Sequence, residues 1–211
     1  NIQVPMNSEE KTKYDDARKI YTDFVKRAGV NFGSPRGWQD FIIRAARLPG
    51  GKEAMKAYRE QKKMAQGSSA KLIEVWKILL ENPEDRIIVF TEDNDMAYKI
   101  GRKFILPVLT HKTKMKERKQ MLESFRSGTI NVIVTSKVLN EGVDVPDARI
   151  GIIVSGSGGV REHVQRLGRI LRHRPGKRAK LFEIVSKGTS EYYVNQRRRQ
   201  HHAYKGSPEI S

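Results

Sequence analysis

The sequence predicts an α/β fold, a parallel sheet flanked by helices, with a small helical subdomain at its N-terminal side. Three observations carry this. Apolar runs of strand length lie over 86–91, 130–136, 150–155 and 179–186, and they lack the polar alternation of a half-exposed strand. Helical patterns separate these runs, the order that builds parallel sheets covered on both faces. Before residue 69 no such run occurs, only helical periodicity.

The elements follow in order. Ser8 with Glu9 and Glu10 marks a helix start, with acids in the first turn where the backbone dipole favours them. Ile20, Phe24 and Ala28 then share a face, and Gly29 ends the run. A second helix begins around Trp38, Phe41 and Ile42 and stops at Pro49, Gly50 and Gly51. A third, over 52–65, is highly charged and expected to be mostly exposed, and Gly67, Ser68 and Ser69 form a joint. The next helix should turn Leu72, Val75, Trp76 and Leu79 inward and end at Asn82 and Pro83. After the first strand, polar residues 92–95 start a helix to about Phe104, with a short strand at Val108 and Leu109. Met115, Met121, Leu122 and Phe125 mark a helix closed by Gly128. A further helix is expected over 159–172 and a last one from Ser190.

Composition narrows the function classes. The chain has 211 residues, 41 Lys and Arg against 24 Asp and Glu, and a formal net charge of +17, which favours a polyanionic partner, nucleic acid first. The excess is uneven: residues 161–211 hold 13 basic and 4 acidic side chains. There is no cysteine, so disulfide scaffolds, thiolate zinc sites and thiol nucleophiles are excluded, and no metal site is expected. No apolar run approaches the roughly 18 residues of a membrane span, and the opening residues do not form a signal peptide. A cytoplasmic location fits best.

The segment richest in chemistry contains Gln165, Gly168, Arg169 and Arg172. On a helix the two arginines project from neighbouring positions of one face, with Gln165 one turn earlier. Two guanidiniums and an amide on one face suit a phosphoryl group that develops charge during transfer. A solvated basic helix is the alternative when this segment is taken alone.

It does not stand alone. Gln165 to Arg172 has the form Q-x-x-G-R-x-x-R and resembles motif VI of the superfamily 2 helicases. Thr135, Ser136, Glu141, Gly142, Asp144 and Pro146 resemble their motif V, and residues 87–91 their motif IV. His111, Lys116, Glu117, Arg118, Leu122, Phe125 and Gly128 resemble the region between. The opening Val4 to Glu10, the helical segment before motif IV and the ending from Leu181 to Arg199 resemble the archaeal XPB-type DNA helicases.

The resemblance implies residues 69–200 as the second RecA-like motor domain, 1–68 as a helical thumb with a linker from the first motor domain, and 201–211 as a polar tail. It implies Arg172 as arginine finger, Arg169 on the γ-phosphate and Gln165 orienting groups around it. Glu141, Gly142 and Asp144 would line ATP, with Asp144 near the ribose. Thr91, Thr135 and Ser136 would hold the DNA backbone. The alternatives are local: Thr135 and Ser136 as turn caps, and Asp144 to Pro146 as an ordinary turn. Implied partners are DNA, the N-terminal RecA-like domain and a partner nuclease, with a nucleoid-associated location.

The sequence departs from a complete motor. It contains neither G-x-x-x-x-G-K-[ST] nor an acidic motif for Mg²⁺. ATP and Mg²⁺ would therefore be bound mainly by the N-terminal half, and this chain is expected to be inactive as an ATPase alone. Readings from other classes are a non-catalytic DNA- or protein-binding module on a motor-like scaffold, and an RNA motor domain. The run Arg197, Arg198, Arg199 is compatible with DNA phosphates, a protein dock or a solvated helix end. Trp38 and Phe41 are read as core, with a base-stacking platform as the minority reading.

Overall fold

The computed structural model describes residues 1–136, 148–154 and 179–193, which fall into two compact units. One comprises residues 1–5 with the chain from Ser69 onward; the other is Met6–Ser68. Among the described residues no helix is long and apolar enough to cross a membrane.

The first unit is built on a six-stranded sheet. Its strands are β1 (Ile2–Val4), β2 (Ile87–Phe90), β3 (Val108–Leu109), β4 (Val132–Thr135), β5 (Ile150–Ile153) and β6 (Lys180–Ser186). All pairings are parallel, and the spatial order is β1-β6-β5-β2-β4-β3. Successive side chains of a strand point to opposite faces. In β2, Ile87 and Val89 meet one core, with Leu72, Val75, Ile78 and Leu79 of α4 (Ser69–Glu81) and Met96, Ala97 and Ile100 of α5 (Asn94–Phe104). Ile88 and Phe90 meet the other, with Leu122 and Phe125 of α6 (Met115–Ser127). Two buried faces explain why the run is apolar throughout.

Two glycines set local geometry. Gly128 caps α6 at φ +82°, in the left-handed region. At Gly101 a Cβ would stand 2.1 Å from Val108 Cγ2, so α5 reaches β3 because the side chain is missing.

Met6–Ser68 consists of α1 (Ser8–Arg27), α2 (Gly37–Arg47) and α3 (Gly51–Gln66). Asn7 opens α1 in a capping box: its side chain accepts from Glu10 N while the Glu10 carboxylate accepts from Asn7 N. Phe24, Ala28, Phe41, Ala45 and Ala54 form the core. Phe41, fully buried, is ringed by Tyr21, Phe24, Phe32, Trp38 and Tyr58 at centroid distances of 5.3–6.2 Å.

Several placements differ from the sequence expectation. Residues 2–4 lie in the region that the sequence predicts as helical but pair with β6 as an edge strand, because β6 offers a free parallel edge. α3 is not mostly exposed: Ala54, Ala57, Gln61 and Ala65 form a buried stripe, hidden in sequence because alanine and glutamine carry little hydrophobic signal. Trp38 is 42% exposed although its neighbour Phe41 is core. Ile20, expected on the inner face, is exposed. Trp76 does not turn inward but stacks on Phe104, centroids 5.0 Å apart, and Ile78 fills the core instead. Met115 is exposed at the start of α6.

Candidate nucleotide and nucleic-acid edge of the sheet

Strand register places the candidate site. Phe90 lies opposite both Thr135 and Ile153, so β2, β4 and β5 end level with one another. Thr91, Ser136 and Val154 therefore leave the sheet side by side at its carboxyl edge, where open α/β sheets bind ligands. The sequence-predicted Thr91, Thr135 and Ser136 are brought together there. Glu141, Gly142, Asp144, Gln165, Arg169 and Arg172 lie outside the described residues.

All three hydroxyls are buried and their protons are already used. Thr91 Oγ1 donates to the Asp93 carbonyl at 2.8 Å, with the Thr135 carbonyl at 3.3 Å. Thr135 Oγ1 donates to the Ser136 carbonyl at 3.1 Å. Ser136 Oγ donates to Asn94 Oδ1 at 2.6 Å. The Asn94 amide in turn lies 3.1 Å from His111 Nδ1, an arrangement that leaves the proton of a neutral imidazole on Nε2. The main chain is fixed too, with Thr91 N donating to the Thr135 carbonyl at 2.9 Å. A phosphate oxygen only accepts, so in this geometry none of the three hydroxyls presents a proton to it.

Sequence reasoning missed Asn94, which links Ser136 after β4 to His111 after β3, and Thr110, which ties the end of β3 to Tyr98 of α5. Thr110 Oγ1 lies 3.0 Å from Tyr98 Oη and accepts from Lys112 N at 3.2 Å, while its amide donates to Thr113 Oγ1 at 2.9 Å. These bonds hold His111 and Lys112 out to solvent. The cluster of Thr110, Thr113 and polar neighbours beyond an apolar pair was the available signal, since such residues favour turns.

Asp93 starts α5, its carboxylate accepting from Met96 N at 2.8 Å. Asp93→Ala should cost about 1 kcal/mol, and Asp93→Ser should recover most of it, read from urea-unfolding midpoints. An unchanged midpoint for the alanine variant would remove the cap from this account.

The β5 end carries a second fixed point. Lys71 of α4 is 0% exposed, and its Nζ donates to the Val154 carbonyl at 2.7 Å and to both carboxylate oxygens of Glu191, at 2.8 and 2.6 Å. Burial pushes the Lys71 ammonium below its ordinary pKa; the Glu191 carboxylate pulls the other way. Three oxygens, two of them from one carboxylate, thus surround the Lys71 nitrogen.

A parallel sheet with this order and helices on both faces has the RecA-like fold. The Sulfolobus solfataricus SWI2/SNF2 ATPase core in complex with dsDNA shares the fold at TM-score 0.62 and 17% identity, over 92% of this chain and 43% of that one.

Residues 58–207 match the family model described as ERCC3/RAD25/XPB C-terminal helicase, and the chain belongs to that family. It is 42% identical over 199 residues to the DNA 3'-5' translocase XPB2 of Sulfurisphaera tokodaii, covering 94% of this chain and 45% of that protein. It is 36% identical over 128 residues to the general transcription and DNA repair factor IIH helicase/translocase subunit XPB/SSL2 of Saccharomyces cerevisiae, covering 56% and 15%. The chain thus spans less than half the length of these relatives.

Proposed function

We propose that this chain is the C-terminal motor half of an ATP-dependent DNA translocase or helicase serving DNA repair or transcription. The observation that carries the reading is the family match over residues 58–207, which contains Gln165, Arg169 and Arg172 in motif spacing. The named activities of the relatives in the archaeon and in yeast support it.

The donor chemistry fits a triphosphate better than a cation. Arg169, Arg172 and Gln165 offer N–H groups and no carboxylate. Among the described residues no group of three His, Asp or Glu side chains is placed to hold a metal ion. ATP supplies the phosphoryl group, with Mg²⁺ held chiefly by the N-terminal RecA-like domain. Arg172 acts as arginine finger, Arg169 contacts the γ-phosphate and Gln165 orients groups around that phosphate. Glu141, Gly142 and Asp144 line the nucleotide from this side. Thr91, Thr135 and Ser136 meet the DNA backbone when a phosphate oxygen takes the place of the internal acceptors that now use their protons. Domain closure and reopening shift these contacts along one strand. The partners are DNA, the N-terminal motor domain and a partner nuclease docking on the basic last quarter, in the cell interior close to the chromosome.

The test is DNA-stimulated ATP hydrolysis after mixing this chain with the separately produced N-terminal half. Activity is expected only with both halves present. Hydrolysis by this chain alone would defeat the reading of a divided site. If the intact protein hydrolyses no ATP in the presence of DNA, the motor reading itself falls.

A further inference from the structure

The proposed motor leaves one costly feature unused: Lys71, completely buried in the first helix of the sheet-containing unit. Removing an ammonium from water is expensive, and the ion pair with Glu191 only partly offsets it. An apolar residue at this inner position of α4 would pack without that cost. The place where the lysine spends its hydrogen bonds is therefore informative.

Two bonds go to Glu191, 120 residues away in sequence. Glu191 Oε2 also accepts from Ser186 N at 3.1 Å, which fixes the carboxylate to the end of β6. Thr189 Oγ1 donates to the Ser186 carbonyl at 2.8 Å and closes that turn. The third bond goes to the carbonyl of Val154, one residue beyond β5. Val154 N donates to the Phe90 carbonyl at 3.0 Å, so both polar groups of this residue are held. Residue 155 then begins the segment leading to Gln165, Arg169 and Arg172.

We propose that Lys71 is a positioning residue for the arginine finger: with Glu191 it fixes the carbonyl of Val154, the residue from which the sequence runs on to Arg172. This rests on the reading of Arg172 as the finger. Lys71 touches neither nucleotide nor DNA in this scheme. It acts on turnover through the anchored carbonyl of Val154, because a finger must meet the transferring phosphoryl group within a fraction of an ångström to stabilise its charge.

Lys71→Met in the intact protein removes the donors at nearly constant length. It also strands a buried carboxylate, so its stability will fall whatever its role in turnover. Lys71→Met/Glu191→Gln separates the two effects. It is neutral, it keeps an amide oxygen for Ser186 N, and it should regain most of the lost melting temperature. The expected result for this double variant is a drop in kcat for DNA-stimulated ATP hydrolysis of about tenfold or more, with KM for ATP within about twofold. A merely structural lysine predicts that kcat recovers together with the melting temperature, and that result would overturn the proposal.

A second arm places the same double substitution in an Arg172→Ala background. Acting through the finger, it should lower kcat no further there; a full additional tenfold loss means that Lys71 acts elsewhere, and the proposal fails. If Arg172→Ala alone leaves kcat unchanged, the finger reading has failed, and this inference with it. If Arg172→Ala lowers kcat and the double variant does not, the finger stands and the role of Lys71 is refuted.

Discussion

Arg172→Ala in the intact protein is expected to lower kcat for DNA-stimulated ATP hydrolysis by about a thousandfold, while ATP affinity changes only a few fold. The asymmetry follows from where the charge is needed. On the proposed function, the triphosphate in the ground state would already be neutralised by Mg²⁺ and the phosphate-binding loop of the N-terminal half. As the phosphoryl group transfers, charge spreads over its equatorial oxygens, and a guanidinium supplied by Arg172 would stabilise that distribution preferentially. An interaction stronger in the transition state than in the ground state appears in kcat and hardly in binding. Arg172→Lys should recover little, because a point charge does not reproduce the planar two-donor fork. Steady-state hydrolysis and titration with a fluorescent ATP analogue separate the two quantities. Turnover at the wild-type level in Arg172→Ala would remove the finger.

Phe41→Ala should have the largest effect on stability, about 3–5 kcal/mol, felt within Met6–Ser68. Phe41 is completely buried and touches five other aromatic rings, so its removal leaves a void that rigid neighbours cannot close. The sheet has separate cores that do not include it. Hydrogen exchange on the intact protein should therefore show faster exchange for α1, α2 and α3 amides, with β2 and β4 amides still protected. Equal loss of protection in β2 would mean that the helical unit has no independent stability.

The sheet was legible because a strand buried on both faces has a visible signature. Ile87, Ile88, Val89 and Phe90 need no tertiary information to be read as one. β1 was not legible: Ile2, Gln3 and Val4 are too short for periodicity and become a strand only because β6 offers an edge. The α3 interface was hidden for a different reason. Alanines at 54, 57 and 65 bury a helix by close approach, with little hydrophobic contrast to detect.

For the candidate site, the location of Thr91, Thr135 and Ser136 followed from strand ends, but the direction of their hydroxyls did not. A proton's partner depends on which carbonyl or amide the neighbouring loop supplies, here Asp93 and Asn94. Lys71 was the least legible residue. In a one-dimensional pattern it is one more lysine on an amphipathic helix, and its partner lies 120 positions away.

The short strand β1 has a mechanical consequence. It precedes α1, and it is laced to β6 by three register pairs and by Lys187 N on the Val4 carbonyl at 2.8 Å. Tension applied at Asn1 must shear this lacing before it can load the helical unit that follows in sequence. The load passes first into β6, the strand whose end carries the Glu191 carboxylate. A pull on the start of the chain is thus delivered to the sheet, and the three-helix unit is shielded from it as long as β1 stays zipped.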